Sequence, residues 1–185
     1  MAMTVIDSQG IADEMLPVAQ LAAQMRLSDG YEEIPGLSAR LGLRLRAAIG
    51  SVERRLGKAL IGREFVLSGP AQGGRRIVLP IAPVEDVVGV SVSRNGVPVS
   101  LGDAVVERDA HHPVIVLPHS VGQGEWLLIT VLAGYGAWDA VPDELQQAVL
   151  LTAEALDAGE GHGLAEAAEA LLAPFRSVRI GRACR

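Results

Sequence analysis

Residues 126–159 read WLLITVLAGYGAWDAVPDELQQAVLLTAEALDAG, and two kinds of periodicity meet inside them. Trp126 to Leu132 is apolar on both faces, which predicts a central strand, and Gly134-Tyr135-Gly136 breaks it. Pro142 then opens a helix at its first turn, with Asp143 and Glu144 at the positive end of the helix dipole. Leu145, Val149, Thr152 and Leu156 form its apolar stripe, and Gly159 closes it. A last short helix is expected over about 164–173, stopping before Pro174.

Upstream of that stretch lie short β-rich runs at 64–68, 76–79, 87–94, 97–100, 104–107, 114–117 and 125–133, separated by turn residues. Asn95-Gly96 between valine-rich runs is a hairpin signal, because both central positions of a type I′ turn need positive φ. Further upstream the pattern is helical. Val18, Leu21, Ala22 and Met25 share one face of a segment at 11–26, with Pro17 at or near its start, and SDGYEEIPG at 28–36 reads as a loop. Leu41, Leu45, Ala48, Ile49, Val52 and Leu56 then repeat as one stripe, backed by Arg40, Arg44, Arg54, Arg55 and Lys58. The order predicts an α+β fold: a helical core from N- and C-terminal helices (11–60 and 141–173), an inserted antiparallel β-rich region (63–137) and a tail (174–185).

At 185 residues, 49% hydrophobic and 21% charged, the chain can bury one substantial core, so it reads as a single domain over 1–185 with appendages. Its only aromatics are Tyr31, Phe65, Trp126, Tyr135, Trp138 and Phe175, so that core is mostly aliphatic. A single cysteine, Cys184, asks for no oxidising compartment. Asp7, Asp13 and Glu14 stand where a secretory leader would be basic and then apolar. The longest uncharged apolar stretch, 126–138, falls short of the roughly 20 residues of a membrane span, so a soluble protein made in the cytoplasm is expected.

The net charge of −6 is unevenly spread. Arg40 to Arg76 is strongly basic, Asp109 to Phe175 holds acidic residues and no Lys or Arg, and Arg176, Arg179, Arg182 and Arg185 form a basic tail. Such segregation fits solvated faces, or a homo-oligomer in which the basic region of one copy (Arg40, Arg44, Arg54, Arg55, Lys58) meets the acidic region of the next.

No residue set carries catalysis. His111, His112 and His119 lie near Asp109, but adjacent histidines on a strand point to opposite faces and no metal-ligand spacing is matched. Gly122-Gln123-Gly124 lacks the Lys-Ser/Thr and helix of a phosphate loop. GPAQGGRR at 69–76 reads more simply as a hairpin loop with two exposed arginines than as a phosphate site, and Cys184 has no partner histidine at a recognisable spacing. No catalytic residue, metal or cofactor is expected.

Five segments together resemble the head–tail connector (adaptor) family of tailed phages and gene transfer agents. PVAQLAAQMRL (17–27) resembles the family's opening helix, with Gln24 where lysine is usual. LRAAIGSVERRLGKALIGREF (45–65) is similar to its long helix leading into the first strand, and IVLPIAPVEDVVGVSV (77–92) to its Leu-Pro-x-x-Pro-Val strand pair. LITVLAGYG followed by VPDELQQAVLLTAEAL (128–156) is the most specific match, and ALLAPFRSVRI (170–180) resembles the closing segment. Departures are Gln24, the acidic loop at 28–36 and the short link at 159–163.

The resemblance implies a structural ring, usually of twelve subunits, docked beneath the portal protein in the neck of a virion or phage-like particle assembled in the bacterial cytoplasm. It would extend the DNA channel and offer a platform to a neck stopper or tail-side protein, with DNA passing through without specific binding and no membrane involved. The tail is then the expected portal-binding element, through Phe175, Arg176, Val178, Arg179, Ile180 and Arg182. Two other readings stay open: a neck stopper or tail-completion protein, which would be β-barrel dominated without the terminal helix pair, and a small metal hydrolase, which would depend on His111 or His119.

Overall fold

The computed structural model describes residues 3–7, 9–94, 96–159 and 162–176. Helices and antiparallel strands occupy separate regions, so the fold is α+β. The chain divides into two compact units: Gly57–Val141 together with the chain up to Leu16, and Pro17–Leu56 together with the chain from Pro142 onward.

The helical unit contains α1 (Val18–Gln24), α2 (Leu37–Leu56), α3 (Asp143–Ala158) and α4 (His162–Leu172). Helix α2 buries Leu41, Leu45, Ala48, Ile49, Val52 and Leu56, the expected stripe, and packs on α1 and α3. Helix α3 begins one residue later than expected. Pro142, with ψ 138°, precedes the first helical residue and its carbonyl accepts from the Leu145 and Gln146 N–H groups. Asp143 and Glu144 occupy the first turn, and Gly159 closes the helix at φ 74°.

Two expectations need correcting here. Leu156 is 41% exposed, and the buried face of α3 runs instead through Leu145, Ala148, Val149, Leu150 and Ala153. The cause is the size of the opposing residues. Leu156 borders an open groove of about 510 Å³ whose α2 and α4 walls present Ala47, Ala165 and Ala168, too short to close over it. The helix expected over 11–26 is α1 alone, preceded by a 3-10 turn at Asp13–Met15, with Pro17 fixing the boundary. At the other end Pro174 lies inside a 3-10 turn, Ala173–Phe175, that continues from α4.

The β unit holds β1 (Thr4–Asp7), β2 (Arg63–Pro70), β3 (Gly74–Val78), β4 (Val84–Arg94), β5 (Val97–Ser100), β6 (Val105–Glu107), β7 (Val114–Val121) and β8 (Trp126–Ala133). They form a five-stranded sheet in the order β1-β2-β8-β4-β5 and a three-stranded sheet in the order β3-β7-β6. Phe65, Leu67, Val90, Val92, Leu127, Ile129 and Val131 of the first sheet join Ile77, Ile115, Leu117 and Val121 of the second in one core, so the sheets pack face to face. Arg94 pairs with Val97 across the expected two-residue hairpin, where Gly96 has φ 79°.

Strand β8 is central, between β2 and β4, but only its inner face is buried. Trp126 and Leu128 on the outer face are 49% and 43% exposed. Strand β1, absent from the sequence reading, is four exposed residues with no burial alternation to betray it.

Beyond β8, Gly134 and Gly136 turn the chain with φ 124° and 106°. The turn is laced to the segment before β2: Tyr135 N–H donates to the Leu60 carbonyl (3.0 Å) and Gly62 N–H to the Gly136 carbonyl (2.7 Å).

Candidate functional site

Of the six tail residues expected to bind a partner, two are placed by the structure. Phe175 is half-buried and Arg176 exposed, just past Leu172, which is buried. Val178, Arg179, Ile180 and Arg182 lie outside the described residues. The Arg176 guanidinium pairs with Glu169 on α4, and so does that of Arg55 on α2, each taking a different carboxylate oxygen. Glu169 thus joins the basic helix face to the C-terminal segment, two regions that sequence reasoning treated separately. Nothing in the spacing of Arg55, Glu169 and Arg176 announced it.

Arg40 and Arg44 of the basic face are also engaged within the helical unit. Arg40 donates to both Asp157 oxygens (2.8 and 2.6 Å), and Arg44 adds a longer bond at 3.4 Å. Much of the basic–acidic complementarity anticipated between copies is therefore satisfied inside one copy. Arg54 and Arg55 line the groove beside α4. Lys58 needs a correction of place: α2 ends at Leu56, and Lys58 lies past it in the β unit, 3% exposed, its ammonium donating to the Ala110 carbonyl. Burial pushes that lysine below its ordinary value, while Asp109 acts in the opposite direction.

The Arg40 hydrogen bonds hold the Asp157 carboxyl below its ordinary value against the opposing effect of burial, and the charges of Arg40 and Arg44 assist. A carboxylate whose folded value is depressed stabilises the fold fully above its ordinary value of 3.8 and loses that contribution as pH falls through the folded one. Asp157→Asn is therefore expected to lower stability at pH 7 and to flatten acid unfolding, the difference from wild type shrinking as pH falls below 3.8. Denaturant titrations at pH 2, 4 and 7 check this; a constant difference at all three values contradicts it.

In the β unit, Asp109 accepts from the His111 and His112 N–H groups, both at 2.7 Å, which makes this segment a carboxylate-closed turn. Among the described residues no three His, Cys, Asp or Glu side chains gather where they could hold a metal. Arg75 and Arg76 lie on β3 rather than in the preceding loop. Arg75 donates to the Leu117 carbonyl (2.9 Å) and Arg76 forks onto Glu107 of β6, so neither reaches out as a phosphate loop would.

What stays open is the outside of both sheets. On the five-stranded sheet, Ile6, Trp126 and Leu128 are exposed on one face, and the Trp126 indole N–H donates to the Ser68 hydroxyl (2.9 Å). On the three-stranded sheet, Val78 and Val105 are exposed beside half-buried Val114 and Val116. The β-rich runs that located the strands contain these valines, yet composition gives no means of telling a solvent face from a contact face.

A chain in the neck of an empty gene transfer agent (GTA) particle, computed with C6 symmetry, superposes with a TM-score of 0.81 and 31% identity, covering 98% of this chain and 99% of that one. The chain belongs to the gene transfer agent neck proteins. A chain of the native GTA virion matches at TM-score 0.79 and 30% identity over 98% and 99% of the two lengths. One from the native GTA neck computed with C12 symmetry matches at 0.73 and 29%, covering 99% of each. No family model and no curated protein matches the sequence. Members of this GTA neck family are structural components of the virion, and the end-to-end coverage spans both the helical and the β unit.

Proposed function

We propose that this GTA neck protein is the head–tail connector: a ring of twelve copies docked beneath the portal protein, extending the DNA channel and presenting a platform for the neck stopper or tail-side protein. The observation that carries this reading is the match over 98% of the chain to neck chains of particles computed with C6 and C12 symmetry, the symmetries of a ring. The helical unit separates it from the stopper reading, which calls for a β-barrel-dominated chain. Its work is mechanical: many modest contacts, closed into a ring, hold head to tail. Removing the gene from a producing strain tests this. DNA-filled heads without tails, with the labelled protein located at the neck of wild-type particles, are expected; normal particles contradict it.

The C-terminal segment from Pro174 is the proposed portal-binding element, combining Phe175 and Ile180 with Arg176, Arg179 and Arg182. Deleting 174–185 removes no fully buried side chain among the described residues, since Leu172 and Ala168 remain, and it breaks one exposed ion pair worth about 0–1 kcal/mol. The truncated protein is expected to stay folded and to lose attachment to portal-bearing heads. Retained docking would move the portal contact elsewhere, first to the Arg54–Arg55 end of α2.

DNA is expected to slide through rather than bind. The chain carries a net charge of −6, and Arg40, Arg44 and Arg55 are each engaged by a carboxylate. Fluorescence anisotropy with duplex DNA at physiological salt should give no saturation below about 1 μM, the range of non-specific binding or weaker. Tighter binding would refute the passive-channel reading.

A further inference from the structure

Every copy in a closed ring offers two different patches, one to each neighbour. The β unit carries two such patches, back to back. The inner faces of its sheets are filled by the shared core, while the outer ones carry exposed side chains. Both outer faces expose apolar side chains. Ile6 (47% exposed), Trp126 and Leu128 lie on the five-stranded sheet, and Val78 (57%) and Val105 (66%) on the three-stranded sheet.

Their charges differ. On the first face Leu132 pairs in register with Glu64 on one side and Asp86 on the other, which makes that end acidic. The second face has Arg76 beside Val105, both in register with Val116. Arg76 is held by Glu107, but both partners are largely exposed, so the pair can exchange for a carboxylate of a neighbouring copy.

Two further features favour face contact over strand addition. Pro98 sits in the edge strand β5, where a missing N–H interrupts pairing with a further strand. Gly89, opposite Thr130 on the first face at a register shift of β4, has no atom within 4 Å of where a Cβ would stand, so a neighbour's side chain can come close to the backbone there.

We propose that copies of this chain associate head to tail through the β unit, the outer face of the five-stranded sheet of one copy seating on the outer face of the three-stranded sheet of the next. This rests on the ring reading above and names the surfaces that make the ring. The acidic Glu64–Asp86 end meets Arg76, and Trp126 and Leu128 pack among Val78, Val105 and their neighbours.

The test uses Leu128→Asp, Val105→Asp and Gly89→Gln in the full-length chain, each expressed in place of wild type in producing cells and also purified. Gly89→Gln adds a side chain into open space on a strand, so it serves as the variant that disturbs docking with least risk to folding. All three are expected to keep the wild-type circular dichroism. Each should enter purified necks on the order of tenfold less than wild type, the loss expected for about 1.4 kcal/mol per contact. Purified Leu128→Asp mixed with Val105→Asp should form a one-to-one dimer and nothing larger, because the mixture holds one intact pair of faces. Full incorporation of folded Leu128→Asp and Val105→Asp overturns the proposal, as does a symmetric dimer of either variant alone. Wild-type copies absent from purified necks would instead sink the connector reading itself.

Discussion

Gly134→Ala is expected to unfold or nearly unfold the β unit. The residue has φ 124°, a region essentially reserved for glycine, and a Cβ there would stand 2.6 Å from the Ile61 carbonyl carbon and oxygen and 2.7 Å from Gly62 Cα. These are backbone atoms, tied in place by the Tyr135–Leu60 and Gly62–Gly136 hydrogen bonds, so no rotamer change relieves the clash. Backbone strain alone costs about 1–3 kcal/mol. Displacing the Ile61–Gly62 segment adds to it, against a total stability of about 5–15 kcal/mol. Gly124→Ala is the matched control, because Gly124 has φ 84° but open space around it and should lose only the strain. Thermal melts should place Gly134→Ala at least ~10 °C below Gly124→Ala, at about 2–4 °C per kcal/mol for a chain of this size. Equal melting temperatures would mean the close approach is not maintained in solution.

That glycine also shows how far the sequence could be read. Gly134-Tyr135-Gly136 was legible as the end of a strand, because two glycines in three residues stop any ladder. That the turn packs against Ile61 and Gly62 was not legible, since the partner segment lies some seventy residues earlier and nothing local encodes the meeting. β-Rich runs between turn residues located seven of the strands, and the 3.6-residue stripe located α2 and α3, because in each helix buried side chains recur at the element's own period. Strand β1 escaped because all four of its residues are exposed and, unlike the equally exposed β5, no hairpin turn signal stands beside it, and Leu156 was misplaced because periodicity cannot weigh the size of what stands opposite.

The candidate site was less legible for a related reason. A ring contact is made by ordinary surface side chains whose partners belong to another copy, so it has no spacing rule of the kind that reveals a metal or phosphate site. The basic face of α2 stood out by charge, yet Arg40, Arg44 and Arg55 spend that charge on Asp157 and Glu169 of the same chain. The outward residues of β3, β6 and β8 drew no notice, since scattered exposed valines are normal and only the sheet register gathers them on two faces.

Ile49→Ala is expected to cost the helical unit about 2–5 kcal/mol, the range for removing a buried aliphatic side chain. Ile49 is fully buried on α2, in the stripe with Leu45 and Val52. The helices around it leave little freedom to collapse into the space. Helix α2 is clamped to α3 by the Arg40 and Arg44 bonds to Asp157, and α1 packs against both. A site that cannot relax sits toward the upper part of that range, because the cavity adds to the lost transfer energy. Leu156→Ala supplies the contrast on α3. Its side chain borders the open groove at 41% exposure, so truncation leaves no enclosed void and should cost under about 1 kcal/mol. Urea unfolding of the two variants, followed by far-ultraviolet circular dichroism, separates the cases. If Leu156→Ala is as damaging as Ile49→Ala, the groove beside α4 is closed in solution and the buried face of α3 extends one turn further than Ala153.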